Sequence, residues 1–466
     1  MAAIGVLDIP PEIQLQIAKF TETPQTLKAL SLTSHSLRSI AQSILFENLQ
    51  IDLGTDLGLR GSVDDLLANP RICAAIHFLE LRGRFLFSSM RPRNDDKQLS
   101  LIQSMLPEMV GLRKVSIDQV NLSKAFLDTF LWIAASKPLQ ISLGWNLYPQ
   151  GVISTPHTPL QISHLHIKVD RPSLEFFRSM FHASATTLTG LNIMAHGDGL
   201  MKLADINLPF LHDLTLLITI GSEVSRTSAA AFITAQQAIR KLHLRGSMRL
   251  LPPIPPNALP NLRELNASTE QVNQLVPGRP VEAIEVSFSQ RECDQDWFGE
   301  EVTQSTARVR MLRVYLKTAI LDTRMVKRMV AILPFLENLW LPVFDDVSWP
   351  FARLPRPWRL IFLQILLSVI EVLTLLKCLR NLRFDLFRRE VWVDLKIDDI
   401  ATKLRNANLS FSCLEIRDSG GGGWKNVVSV WNEAFGVFHH TESATARYYG
   451  PPPPAEAPVS YSTLHQ

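Results

Sequence analysis

His164 and His166 stand two apart in "ISHLHI", so in a strand both project from one face and could serve as neighbouring metal ligands. Without carboxylate or cysteine partners beside them they read as solvent-facing side chains, and no metal site is expected. Cys73, Cys293, Cys378 and Cys413 are dispersed, with no Cys-x-x-Cys pair. That pattern argues against a disulfide framework or zinc ribbon and for a reducing cytoplasmic or nuclear setting. Cys378 and Cys413 fall in apolar segments, where a thiol packs rather than reacts. "SGGGGW" at 419–424 lacks the Lys-Ser/Thr of a phosphate loop and reads as a flexible linker. No Gly-x-Ser-x-Gly, His-Glu-x-x-His or Walker-type loop occurs. The chain is expected to be no enzyme and to need no cofactor; an enzyme with a site assembled from scattered residues is the reading its motifs do not favour.

The residues with recognition chemistry must be positioned by repeats. Segments of the form apolar-x-x-apolar-x-apolar recur along the chain, among them "IHFLEL", "LRKVSI", "LHDLTL", "LENLWL" and "FSCLEI". From Leu165 through Leu191, Leu214, Leu242, Leu265, Ile284 and Leu312 to Leu339 the steps are 26, 23, 28, 23, 19, 28 and 27 residues. These fall almost wholly within the leucine-rich-repeat period of about 20–29 residues. Three copies share Leu-Pro-x-Leu-x-x-Leu, starting at Leu208, Leu259 and Leu333. In "LHDLTL", Leu211, Leu214 and Leu216 would point inward while Asp213 and Thr215 face out. "RPSLEFFRSMF", "SAAAFITAQQAI" and "RMVKRMVAIL" can cover the other side as helices. One such unit cannot bury its apolar face, but stacked neighbours can. The expectation is an α/β leucine-rich-repeat-like solenoid over residues 51–418, with an ordinary α/β domain as the alternative. The step of 43 from Leu339 to Leu382 leaves boundaries loose, and the units near Leu79 and Val115 are the least regular.

A parallel strand array offers a continuous outward face. On it His166, Lys168, His243, Arg245, Arg313, Tyr315, Trp340 and Arg383 would form a basic, aromatic-bearing surface suited to an acidic or phosphorylated protein client. Overall charge is nearly balanced, 47 Lys plus Arg against 44 Asp plus Glu, which excludes a general nucleic-acid or membrane footprint. "LIFLQILLSVIEVLTLL" at 360–376 is short for a membrane span and carries a stripe of Gln364, Ser368, Glu371 and Thr374. It reads as a buried helix with one wet edge. The N-terminus has no basic region followed by a continuous apolar run, so no secretory signal is expected. Residues 419–466, glycine- and proline-rich, are expected to form a disordered tail.

The first fifty residues differ in kind. Pro10-Pro11 marks a hard helix start, with Asp8 available as a cap and Glu12 in the first turn. Ile13, Ile17 and Phe20 share one face of that helix, which is too short to stand alone and must dock. Thr23-Pro24 starts a second helix bearing Leu27 and Leu30. Thr33 or Ser34 caps a third, with Leu37, Ala41, Ile44 and Leu45 on one face.

"LDIPPEIQLQIAKFTETPQTLKALSLTSHSLRSIAQSILFENL" resembles an F-box of the form common in fungal proteins, covering residues 7–49. It departs from the family in the third helix, where Thr33, Ser34 and His35 replace a Cys-Arg-Arg type segment. The resemblance implies a small all-α three-helix F-box over residues 1–50, docking on a Skp-type adaptor of a cullin-RING ubiquitin ligase. By the same resemblance Pro10, Pro11, Glu12, Ile13, Ile17, Leu27, Leu30 and Leu37 carry or shape that interface. The chain would be the substrate receptor of such a ligase, holding an unknown client on its strand face; a non-catalytic repeat scaffold outside any ligase is the alternative.

Overall fold

The proline pair opens a helix as its chemistry requires. In the computed structural model Pro11 takes the first position of the helix Pro11–Lys19, Pro10 flanks it without a side-chain cap, and Glu12 lies in the first turn. Thr23 caps the helix Pro24–Ser31, its hydroxyl accepting from the Thr26 N–H at 3.2 Å. Thr33 donates its hydroxyl to the Leu30 carbonyl at 2.8 Å, so it closes the second helix instead of opening the third, His35–Leu45. Asp8 and Ser34 lie outside the described residues. Those are residues 10–21, 23–33, 35–53, 69–85, 92–93, 96–149, 158–169, 174–196, 203–219, 223–246, 251–288, 299–316, 323–342, 356–386, 397–408, 410–418, 426–432 and 438–443.

The three helices pack on Ala18, Leu27 and Ala41, with Leu30, Ile40, Ile44 and Leu45 around them. The first helix turns a different face inward from the one its large apolar residues predict. Gln14 and Ala18 are buried, whereas Ile13 and Ile17 are half exposed and Phe20 is 82% exposed. Small Ala18 and Ala41 admit close helix approach, and Gln14 accepts from the Ser36 hydroxyl at 3.0 Å.

The chain divides into two compact units, Met1–Arg263 and Glu264–Gln466. In the first, β1 (Asn48–Asp52), β2 (Phe78–Arg82), β5 (Lys114–Asp118), β6 (Leu139–Leu143), β7 (Ile162–Val169), β8 (Gly190–His196), β9 (Asp213–Thr219) and β10 (Lys241–Arg245) pair in that order, all parallel. A separate short antiparallel pair joins β3 (Arg84–Phe85) to β4 (Pro92–Arg93). In the second unit β11 (Glu264–Ser268), β12 (Ala283–Phe288), β13 (Met311–Leu316), β14 (Asn338–Pro342), β15 (Asn381–Leu386) and β16 (Cys413–Asp418) are likewise parallel neighbours. Two antiparallel strands follow, β17 (Asn426–Asn432) and β18 (Phe438–Ser443), inside the stretch expected to be a tail. The run "NVVSVWN" is rich in β-branched residues, which suit a pleated strand.

The repeat spacing corresponds to strand register. Leu79, Val115, Ile141, Leu165, Leu191, Leu214 and Leu242 stand opposite one another from β2 to β10, all buried. Leu265, Ile284, Leu312, Leu339, Leu382 and Leu414 form the same row in the second unit, also buried. Burying each such leucine contributes about 1.5–3 kcal/mol. β6 is a unit the spacing missed; its "LQISL" alternates correctly but Pro138 stands where the other segments carry their leading apolar residue. The Leu-Pro copies build one shared turn before the strand, Leu211 N–H to Leu208 O, Leu262 to Leu259 and Leu336 to Leu333. Leu379 to Leu376 repeats it without a proline.

The helices Leu174–Ser184, Glu223–Ala235 and Thr323–Ile332 bury Phe177 and Phe181, Phe232 and Ile233, and Val326 and Met329 on the other side of the strands. Buried amides tie the loops that a repeat must close. Asn146 donates to Ile117 O and accepts from Val120 N–H, each at 2.9 Å; Gln236 donates to Ile206 O and accepts from Leu208 N–H. Asn408 donates to Leu376 O and Leu379 O and accepts from Ser410 N–H. The helix Arg356–Leu373 buries Leu366, Val369 and Ile370 and leaves Gln364 and Glu371 exposed, as the polar stripe predicts. Among the described residues no helix is long and apolar enough to cross a membrane.

Candidate functional site

Alternation puts every second strand residue on the outward face, and parallel register lines these residues up across neighbouring strands. In the first unit one such row runs Glu80, Ser116, Ser142, His166, Asn192, Thr215, His243. Two residues further along, Arg82 pairs with Asp118 across β2 and β5, and Lys168, Met194, Leu217 and Arg245 align from β7 to β10. Ser116 and Ser142 are small, and Gly144, just past β6, has no side chain. The result is a pocket of about 320 Å³ lined by residues of β2, β5, β6 and β7.

Its charges are paired. Glu80 accepts from Arg82 at 2.8–2.9 Å. Asp118 accepts from the Trp145 N–H at 2.7 Å and faces the Lys168 ammonium at 3.7 Å, which lies 5.6 Å from the Trp145 ring. Burial pushes the His166 imidazole below its ordinary pKa; nearby Lys168 adds to this and Asp118 opposes it. Burial therefore favours the neutral imidazole. Of the residues expected to meet a client, the structure brings His166 and Lys168 into this pocket. His243 and Arg245 are three strands away, about 14 Å at ordinary strand spacing.

The second unit carries a different row: Asn266, Glu285, Arg313, Trp340, Arg383, Glu415. Trp340 has a guanidinium on either side, Arg313 at 3.9 Å and Arg383 at 4.3 Å from the ring centroid. Arg313 also lies 4.8 Å from the Tyr315 ring and 3.5 Å from Glu285. Glu285 in turn accepts from the Asn266 amide at 2.5 Å. Stacking against Trp340 orients both guanidinium planes. Here the structure brings together Arg313, Tyr315, Trp340 and Arg383.

No family model matches the chain, and no curated protein matches it. Among solved structures it is similar to the chain of the "Crystal structure of TLR13-ssRNA13 complex", with 14% identity and a TM-score of 0.34. That likeness covers 74% of this chain and 44% of the other, so the chain spans less than half the length of the structure it matches. The repeat architecture of each unit rests on its own strand register.

Sequence reasoning missed Glu80, Arg82, Ser116, Asp118, Ser142 and Gly144. The signal was present as alternation in "LQISLGW", but without β6 in the array the centre of the row could not be seen. Among the described residues no three His, Cys, Asp or Glu side chains group to hold a metal ion. His164 is exposed and contacts Ser163 at 3.2 Å. Burial raises the Cys413 thiol pKa, with Glu415 adding to it, which disfavours the reactive thiolate.

At the N-terminus the residues assigned to an adaptor divide by burial. Leu27 and Leu37 are buried and Leu30 is half-buried, so they shape the unit from within. Pro10, Glu12, Ile13 and Ile17 are exposed; the side chain of Pro11 lies outside the described residues.

Proposed function

We propose that this chain is the substrate-recognition subunit of a Skp-cullin-F-box type ubiquitin ligase, binding its adaptor through the N-terminal helices and a protein client through the outward strand face. The observation that carries the reading is the outward apolar face of the first helix. Ile13, Ile17 and Phe20 leave large apolar surface in water while the unit closes its own core around Ala18, Leu27 and Ala41. An exposed apolar cluster of this kind marks a protein interaction site. The residue pattern around it resembles an F-box, which supplies the partner class. The α/β repeats support the receptor role because within each unit they present outward side chains from several neighbouring strands. Catalysis belongs to other subunits; the receptor raises the effective concentration of its client near them. In the second unit, Arg313, Trp340 and Arg383 suit an acidic or phosphorylated group of that client.

The test is affinity purification from eukaryotic cells of the full chain, of a chain lacking residues 1–50, and of Ile13→Asp/Ile17→Asp. Recovery of a Skp-type adaptor and a cullin with the full chain alone is expected. Equal recovery with all three, or with none, would overturn the assignment and leave a repeat scaffold acting outside a ligase.

A further inference from the structure

The pocket in the first unit differs from the basic surface expected at His166 and Lys168. Its two cations each face an acid, Arg82 with Glu80 and Lys168 with Asp118, so its formal charges balance. Ser116, Ser142 and His166 line the same cavity, and among the described residues their hydroxyls and ring nitrogens are engaged in no hydrogen bond. Each of these groups can both donate and accept, a neutral imidazole offering one of each. A carboxylate placed there would only accept, and would face Glu80 and Asp118 with no unpaired cation in the pocket to offset them. An ammonium would only donate, and would face Arg82 and Lys168 with no spare anion. A carboxamide donates from its nitrogen and accepts at its oxygen without carrying charge.

We propose that this pocket binds the carboxamide of an asparagine or glutamine side chain presented by a client peptide. The volume, about 320 Å³, accepts such a side chain together with adjoining backbone. Gly144 leaves room for the Asp118 carboxylate: a β-carbon there would sit 1.7 Å from Asp118 Oδ1. Asp118, held by the Trp145 N–H, keeps Lys168 engaged at the rim. An uncharged ligand leaves both ion pairs intact, whereas a charged one must compete with the like-charged member of each pair. The selection is therefore electrostatic as well as geometric. The proposal rests on the reading of the strand face as a client surface and is independent of the adaptor.

The experiment uses the purified full chain and pools of short, otherwise uncharged peptides fixed at the central position as Gln, Asn, Glu, Lys or Leu, with binding measured at neutral pH. Retention of the Gln or Asn pool about tenfold above the Glu, Lys and Leu pools is expected, the scale of one or two well-made polar contacts. Ser142→Leu and Ser116→Val, which put bulk and no hydroxyl into the pocket, should each remove the preference, while Gln364→Ala, on an exposed helix edge of the second unit, should keep it. Unfolding midpoints of the variants separate lost binding from lost folding. Glu or Lys pools held as tightly as Gln, no pool held above Leu, or a preference that survives both serine variants would overturn the proposal. Ile13→Asp/Ile17→Asp should retain the full preference, so failure to recruit an adaptor and failure of this pocket are read separately.

Discussion

Gly144 lies so close to Asp118 that a β-carbon on it would meet not only the carboxylate, at 1.7 Å from Oδ1, but also the Asp118 Cβ, at 2.9 Å. A side-chain rotation can move Oδ1 but not Cβ, so Gly144→Ala must shift one strand end against the other. It should destabilise the chain by about 1–3 kcal/mol through strain and loss of the Trp145 to Asp118 hydrogen bond. Adding Asp118→Ala to the variant should recover only part of that loss. Urea unfolding of the two variants beside the parent checks this, and full recovery would refute the backbone component.

Trp340 is held between two guanidinium groups, and removing it should loosen both. A double-mutant cycle on Trp340→Leu and Arg383→Met should return a coupling of about 0.5–2 kcal/mol, the range for a partly buried cation–π contact.

The His166 imidazole carries a depressed pKa in the folded chain, so the unfolded chain binds the extra proton more readily. Stability should therefore fall as pH drops below the ordinary histidine value of about 6.5. His166→Gln should lessen that fall while leaving stability above it little changed. Thermal unfolding midpoints across this window measure the difference; an equal slope in parent and variant would show that burial of His166 does not bear on the acid response.

Asn408 satisfies two carbonyls and one N–H from within the core of the second unit. Asn408→Ala leaves the carbonyls of Leu376 and Leu379 without it and should cost about 2–4 kcal/mol. The same change at exposed Gln364 should stay within about 0.5 kcal/mol. Denaturant midpoints decide between a loop tie and a bystander.

Ile13→Asp/Ile17→Asp places charge on a face already in water, so the unfolding midpoint should barely move. Ala18→Leu instead forces bulk between packed helices and should unfold the N-terminal helices, at about 1–3 kcal/mol or more. Far-ultraviolet circular dichroism with limited proteolysis separates the two; comparable loss from both would mean that the isoleucine face is internal after all.

Much of the array was legible because its signals are local. The leucine spacing, the Leu-Pro turn, the helical segments between strands and the polar stripe of 364–374 are each written within one repeat, and each corresponds to an element. Legibility ended at β6, where alternation survived without the leading apolar residue, and at "NVVSVWN", whose strand character was hidden by the glycine run before it. Asn146, Gln236 and Asn408 tie their loops from irregularly spaced positions, so no spacing could reveal them.

What the sequence determined by itself was period and alternation: leucines spaced at one repeat, with every second strand residue turned inward, fix which side chains are buried, because burial of apolar surface is the dominant favourable term and needs only the right face. Which outward residues become neighbours was decided by tertiary structure. Arg82, Asp118 and Lys168 are separated in sequence by tens of residues, and only the register of parallel strands brings them to one pocket. The same holds for the first helix. Periodicity marked Ile13, Ile17 and Phe20 as its apolar face, yet close packing selected the small Ala18 side for the core and left the large residues outside.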